Sequence, residues 1–334
     1  MVSSEVNEIL NRIIEGRVAG RDDLIRLMEC DTLSDETYAL MAAAGRTTRR
    51  AFSNRGEVHA QIGINFAPCS KKCRFCVFGT VTKKTEFTLE EVVTKAKAFE
   101  TEGANAIFLM TTADYDFDKF LSIGRAVRKA IHPRMPLVAN VGDFGQDEAK
   151  DLFDAGFTGV YHVCRLREGV DTCIDPKARL STIRAAKSVG LDLSYCVEPI
   201  GPEHTKEEIV DAILLGRELR PTVMATMRRV AVPGLPLSKY GQIPEVELAK
   251  IEAITRLAVN GSILAMGVHE ANAISLLAGA NQIYAETGPN PRDVEEDTSK
   301  GRGMSVGRCR QMLIEASYEP REGPAASLQG PLRR

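Results

Sequence analysis

Residues 66–77 read Phe66-Ala-Pro-Cys69-Ser-Lys-Lys-Cys73-Arg-Phe-Cys76-Val77, and three cysteines stand among them at C-x3-C-x2-C spacing. An apolar run precedes this loop and predicts a strand that leads into it. A zinc ribbon would usually bring a second pair of Cys or His residues, and none follows nearby. Three thiolates on one tight loop can instead hold three irons of a 4Fe–4S cube and leave the fourth iron open to a ligand that is not protein.

The composition is that of a globular protein without a polyanionic partner. Its 334 residues exceed an average domain but fit one (β/α)8 barrel. A net charge of −2 gives no reason to expect nucleic acid or an anionic membrane as a partner. No apolar run is long enough for a membrane span, and the N-terminus lacks the pattern of a secretory signal.

Eight cysteines would suggest disulfides in a small secreted protein. In a long, core-rich chain without a signal sequence, reduced thiols and metal ligation are favoured instead. An oxidising compartment would also destroy an open cluster. We therefore expect a cytoplasmic protein with an iron–sulfur centre.

The chain alternates short apolar runs with helix-length amphipathic segments from residue 58 onward. The candidate strands are residues 58–66, 105–110, 136–141, 158–164, 191–197, 222–228, 261–266 and 281–285. Eight strands, each followed by a helix, predict an α/β fold, a (β/α)8 TIM-type barrel. We expect residues 1–57 to form an N-terminal helical extension, residues 58–318 the barrel, and the polar, Pro/Gly-rich residues 319–334 a disordered tail.

The cysteine loop, including Phe75, resembles the signature of the radical S-adenosylmethionine (radical SAM) superfamily. The resemblance implies a 4Fe–4S cluster on Cys69, Cys73 and Cys76 whose open iron chelates S-adenosylmethionine. It also implies one-electron cleavage of that molecule to methionine and a 5′-deoxyadenosyl radical, which abstracts hydrogen from the substrate. Phe75 is then expected beside the cofactor.

In such barrels the functional groups follow the carboxyl ends of the strands. Thr111 and Thr112 follow the second strand, where members of the superfamily often contact the methionine amino group. Glu168 and Arg179 are expected to bind the ammonium and carboxylate of S-adenosylmethionine, since an arginine fork suits a carboxylate. A solvated helix face is the alternative for both.

Further polar residues stand at later strand ends. Glu198 is a candidate for ribose or substrate binding, although turn capping explains it nearly as well. Arg228, Arg229, His269 and Glu270 are candidates for an anionic substrate or for tuning a radical intermediate. A satisfied core or N-cap histidine is the alternative for His269.

The whole chain resembles the biotin-synthase-like branch, which also holds hydrogenase-cofactor maturases, methylornithine synthase and two-component lipoyl synthases. The closing segment, residues 276–284 followed by Pro289-Asn-Pro, carries this resemblance together with the cysteine loop. The ligands of biotin synthase's second, sulfur-donating cluster are largely missing. Their positions fall on Leu109, on Val138, near Ser194 or Cys196, and on Ala265 or Met266. A second iron–sulfur centre on Cys164, Cys173 and Cys196 is the alternative donor; buried, inert thiols are the other interpretation.

Three functions stay open from the sequence. The first is hydrogen abstraction from a small-molecule or cofactor precursor with sulfur insertion, as in biotin or lipoate biosynthesis. The second is a carbon-skeleton rearrangement or fragmentation, in metal-cofactor maturation or amino-acid biosynthesis, and the third is a non-catalytic iron–sulfur scaffold or electron carrier. For an enzyme we expect a reductant such as flavodoxin or ferredoxin, no nucleic-acid or membrane partner, and a homodimer.

Overall fold

The computed structural model describes residues 1–329. Three helices precede the first strand and pack on one another and on the outside of the barrel. They are α1 (Ser4–Ile14), α2 (Arg21–Glu29) and α3 (Asp35–Ala51). Ser3 and Ser34 cap α1 and α3, each accepting a hydrogen bond from a backbone N–H of the first turn, which is a common way to begin a helix.

Eight parallel strands close into a barrel, because the last of them pairs with the first. In chain order all strands are β1 (Arg55–Gly63), β2 (Asn65–Phe66), β3 (Thr85–Glu86), β4 (Ala106–Met110), β5 (Leu137–Asn140), β6 (Gly159–Tyr161), β7 (Asp192–Ile200), β8 (Val223–Arg228), β9 (Ala265–His269), β10 (Gln282–Thr287) and β11 (Glu319–Pro320). The barrel order is β1-β4-β5-β6-β7-β8-β9-β10, while β2 and β3 form a separate hairpin. The predicted (β/α)8 fold is confirmed.

The remaining helices surround this barrel. They are α4 (Leu89–Thr101), α5 (Phe117–Ala130), α6 (Gln146–Asp154), α7 (Pro176–Ser188), α8 (Lys206–Leu219), α9 (Glu245–Val259), α10 (Ala273–Leu277) and α11 (Val306–Glu315). No helix within residues 1–329 combines the length and the hydropathy of a membrane span.

The seventh barrel strand begins later than its apolar run predicts. The sequence favoured residues 261–266, whereas β9 spans Ala265–His269. Helix α9 ends in a turn in which Asn260 has a φ of 44°, and Ser262 N–H donates to the Val259 carbonyl. These groups belong to the turn and not to the sheet, so the strand starts only after them.

The disorder predicted for the tail is wrong for residues 319–329. Glu319–Pro320 pairs with the start of β1 as a ninth strand of the sheet. The backbone N–H of Ala326 donates to Oε1 of the buried Glu57 at 2.6 Å, and Ser327 Oγ donates to Oε2 at 2.5 Å. Leu328 is completely buried. The segment therefore covers the amino-terminal end of the barrel; residues 330–334 lie outside the described residues.

A pH dependence of stability arises from Glu252, which lies on α9 against β8. The residue is fully buried, and its Oε2 accepts a hydrogen bond from Thr226 Oγ1 at 2.6 Å. Burial is the largest influence on its pKa and raises it from 4.5 to about 8, against smaller opposing effects of Thr226 and Arg256. The folded protein holds this proton more tightly than the unfolded chain does. The stabilisation by the protonated Glu252 is therefore complete below pH 4.5 and is lost as the pH rises through about 8.

We therefore expect the Glu252→Gln variant to match the parent at pH 5 and to be about 4 kcal/mol more stable at pH 9. Urea unfolding followed by circular dichroism at the two pH values measures the difference. The exposed Glu90→Gln on α4 is the control and should leave the pH dependence unchanged. An equal pH dependence in the Glu252→Gln variant and the parent would contradict the assignment.

Candidate functional site

The three-cysteine loop has a defined backbone structure of its own. It follows β2 and ends in a single helical turn, Val77–Gly79. The N–H of Cys69 donates to the Phe78 carbonyl at 2.8 Å, and the N–H of Cys76 donates to the Cys73 carbonyl at 3.0 Å. These bonds fold residues 69–78 back on themselves, so the three cysteines share one small loop.

Segments that follow three barrel strands fix the loop from outside. Asp114, after β4, accepts hydrogen bonds from the N–H and the hydroxyl of Ser70 at 2.5 and 2.6 Å. The N–H of Cys173, after β6, donates to the carbonyl of Lys71 at 2.8 Å. The N–H of Val77 donates to the carbonyl of Pro291, after β10, at 3.0 Å. The position of the loop thus depends on segments from three separate strands of the barrel.

All three thiols of the loop line one cavity at the carboxyl ends of the strands. Burial is the main influence that raises the pKa of Cys73, and it raises that of Cys76 to about 12. Buried thiolates need positive charge beside them, and iron supplies it. The loop therefore fits a metal centre held by three thiolates, such as the expected 4Fe–4S cluster.

The cavity encloses about 990 Å³, including the part open to solvent at its mouth. We call this space at the carboxyl ends of the strands the main cavity. The predicted site residues that line it are Cys69, Cys73, Phe75, Cys76, Thr111, Thr112, Arg179 and Glu198. The structure thus brings together, on one surface, residues that lie up to 129 positions apart in the sequence.

Arg179 is held at the cavity wall by two residues that the sequence did not single out as candidates. Its Nη1 lies 3.2 Å from Asp143 Oδ1 and 3.1 Å from His162 Nε2, and Asp143 lies 3.0 Å from the same ring nitrogen. Burial lowers the pKa of His162 to about 4, against a smaller opposing effect of Asp143. The imidazole of His162 is therefore neutral and adds no second positive charge beside the guanidinium of Arg179. In the sequence, Asp143 and His162 could have been recognised as candidates by their positions at the ends of strands.

Glu198 belongs to a second group of bonded side chains in the cavity. Its Oε1 lies 3.0 Å from Arg165 Nε, and its Oε2 accepts a hydrogen bond from Tyr161 at 2.5 Å. Both carboxylate oxygens therefore have partners that orient them.

Glu168 is buried behind the cavity wall and does not line the cavity. Its carboxylate accepts from Arg165 N–H at 3.0 Å and from Thr172 Oγ1 at 2.6 Å, and lies 3.6 Å from Arg179 Nε. These contacts fix the Glu168 carboxylate beside Arg165 and Arg179.

The four later candidates have different surroundings. Arg229 is 2% exposed and pairs with Glu203, and Arg228 pairs with Glu245 at 3.1 Å. Glu270 pairs with Arg302 at 2.7 Å. Of these candidates, His269 lines the main cavity.

The three cysteines that were candidates for an auxiliary centre differ in their exposure. Cys196 is completely buried in the barrel, whereas Cys173 is exposed. Cys164 is half-buried, and burial raises the pKa of its thiol to about 11. None of the three lines the main cavity.

The chain is similar in sequence to biotin synthases over nearly its full length. It is 27% identical to that of Desulforudis audaxviator (strain MP104C), with 94% of this chain and 97% of the relative covered. It is 24% identical to that of Carboxydothermus hydrogenoformans, with 89% and 97% covered. No protein-family model matches the chain.

Solved structures share the fold at low sequence identity. Methylornithine synthase superposes with a TM-score of 0.81 at 17% identity, over 94% of this chain and 97% of that one. The FeFe-hydrogenase maturase from Carboxydothermus hydrogenoformans superposes with a TM-score of 0.80 at 18% identity, over 97% and 81%. The chain is thus similar in sequence to biotin synthases and shares the barrel fold of methylornithine synthase and a hydrogenase maturase, with its three-cysteine loop at the mouth of that barrel.

Proposed function

We propose that this protein cleaves S-adenosylmethionine reductively and abstracts a hydrogen atom from a small-molecule or cofactor precursor. The observation that carries the proposal is the convergence of three thiols and a buried arginine on one cavity. Cys69, Cys73 and Cys76 would hold the 4Fe–4S cluster. When bound, that cluster supplies the electron that yields a 5′-deoxyadenosyl radical from S-adenosylmethionine.

The residues of the chain bind and orient the cofactor in this proposal. Arg179 presents a fixed cation that suits the carboxylate of S-adenosylmethionine. Thr111 has a buried hydroxyl without a hydrogen-bond partner in residues 1–329, so it can serve a polar group of the ligand. Thr112, in contrast, is paired with Asn65, which donates to its hydroxyl at 2.8 Å and accepts from its N–H at 2.9 Å. We therefore assign ligand binding to Thr111 and a supporting role to Thr112.

The residues inside the barrel help to distinguish sulfur insertion from reactions that use a single cluster. At two of the positions of the second-cluster ligands of biotin synthase, Leu109 and Val138, this chain has residues without thiols, and at most one of the four positions, near Cys196, keeps one. We therefore propose chemistry that uses one cluster, such as a rearrangement or fragmentation of a carbon skeleton. Sulfur insertion would need a donor other than a cluster at those positions.

A direct test of the cofactor site replaces Arg179 with methionine. We expect the affinity for S-adenosylmethionine to fall about 30-fold or more, because a buried, charge-assisted pairing is lost. Equilibrium binding to the anaerobically reconstituted protein measures it. Arg184→Met, on the exposed face of the same helix, is the matched control and should bind normally. Equal affinities in the two variants would refute the role of Arg179.

A protein reductant is part of the proposal. Flavodoxin or ferredoxin would deliver the electron that dithionite supplies in vitro. A non-catalytic iron–sulfur scaffold, the alternative from another class, makes no 5′-deoxyadenosine with either reductant.

A further inference from the structure

One end of the main cavity holds an imidazole whose nitrogens have no hydrogen-bond partner in the described part of the chain. His269, the last residue of β9, is 4% exposed, and within residues 1–329 neither ring nitrogen has a hydrogen-bond partner. The ring stacks on that of Tyr284 with 3.7 Å between centroids, and the ring of Tyr161 meets it edge-on at 5.9 Å. Buried polar groups almost always have a partner. A fixed imidazole with two free nitrogens therefore points to a bound ligand.

Arg292 lines the same end of the cavity and has a poorly satisfied edge. Its Nη1 contacts the Sδ atom of Met227 at 2.7 Å, and thioether sulfur is a weak acceptor. Its Nη2 pairs with Glu286, and its Nε lies 3.5 Å from Glu270 Oε1. These two carboxylates hold the guanidinium in place. A methionine side chain adapts readily, so it can turn away and leave Nη1 to an oxygen atom of a ligand.

The charges at this end of the cavity cancel. Arg292 and Arg302 both pair with Glu270 and Glu286. Burial, followed by the two arginines, holds the pKa of His269 well below its ordinary value, so the imidazole is neutral. An added carboxylate or ammonium would be a buried charge without a free counter-ion, which is costly. The ligand group that fits is therefore uncharged.

We propose that His269 and Arg292 bind an uncharged amide-type group (–CO–NH–) of the substrate. The carbonyl oxygen accepts from Arg292 Nη1, and the N–H donates to a ring nitrogen of His269. Both residues also line a second cavity of about 510 Å³, which gives room for the rest of the molecule. The identification of the ligand as the substrate rests on the proposed radical function, whereas the amide site itself does not.

The test uses the cluster-containing enzyme and two probes of nearly equal shape, trifluoroacetamide and trifluoroacetate. Binding is measured by ¹⁹F line broadening as a function of protein concentration. We expect saturable binding of the amide, with a dissociation constant on the order of 10 mM for so small a probe. At this site, defined as the binding that His269→Phe weakens, the carboxylate should bind at least about tenfold more weakly than the amide, because it would bring an unpaired charge.

Three variants complete the test. His269→Phe keeps a ring on Tyr284 but removes both nitrogens, and it should weaken amide binding about tenfold. Met227→Ala frees Nη1 of Arg292 and should strengthen it. His132→Phe, at an exposed histidine, is the control and should change nothing.

Equal or tighter binding of trifluoroacetate that is weakened in the His269→Phe variant, and so occurs at this site and not at Arg179, would overturn the proposal. So would parent-like amide binding by His269→Phe. Absence of saturable binding by either probe would also overturn it, since ordered water alone would then satisfy these groups. Because probe binding does not need S-adenosylmethionine cleavage, failure here is distinguishable from failure of the proposed function.

Discussion

Replacing any one of Cys69, Cys73 and Cys76 with alanine is expected to abolish 5′-deoxyadenosine formation. Each thiol holds one iron in the proposed site, and a cluster with only two protein ligands is not retained. Iron content should fall from about four per chain to near zero, and the brown chromophore should disappear. Anaerobic reconstitution, iron and sulfide analysis, and chromatography of the reaction products measure these effects.

The other cysteines provide the control for that experiment. A Cys164/Cys173/Cys196 triple alanine variant should keep about four irons and the activity, because these thiols lie outside the cavity. Loss of a further set of irons in this variant would instead show an auxiliary centre. Survival of product formation in a Cys76→Ala variant would contradict the assignment of the cluster loop.

Gly63→Ala is expected to destabilise the protein and to disturb the cluster loop. Gly63 ends β1, where a Cβ atom would overlap the carbonyl oxygen of Pro289 and lie 2.7 Å from its carbonyl carbon. Both contacts are backbone, so the 289–291 segment must move. That segment also holds Val77 through the Pro291 carbonyl. We expect a loss of about 3 kcal/mol of unfolding free energy and reduced iron retention.

Gly307→Ala is the matched control for this change. Its Cβ would meet nothing within 4 Å, and the residue lies in α11, where alanine favours the helix by up to about 1 kcal/mol. Denaturant midpoints and iron content of the two variants separate backbone crowding from the mere loss of a glycine. Equal midpoints would show that the 289–291 segment is not tightly packed on β1.

The sequence predicted best those features that depend on residues close together in the chain. The C-x3-C-x2-C spacing is read within eight residues, and the alternation of apolar runs identifies the barrel without any contact being known. Arg179 was found only through the family resemblance. Asp143 and His162, which hold it, come from different strand ends, and their contact exists only after the barrel closes.

The structure of residues 319–329, in contrast, depends on a residue far away in the sequence. Its polar, Pro/Gly-rich residues predict disorder by composition, yet the chain contains a buried carboxylate, Glu57, that needs donors. Ala326 and Ser327 supply them from 269 and 270 residues away. Such a partnership cannot be read from either segment alone. The cytoplasmic location and the homodimer stay predictions, since neither follows from contacts within one chain.

The most direct test of the radical function is the reaction of the reconstituted protein with S-adenosylmethionine and dithionite under anaerobic conditions. We predict 5′-deoxyadenosine and methionine in equal amounts, dependent on the reductant and absent from the Cys69/Cys73/Cys76 triple alanine variant. A protein that holds its cluster but yields no 5′-deoxyadenosine would contradict the account. Product formation by the triple variant would contradict it equally.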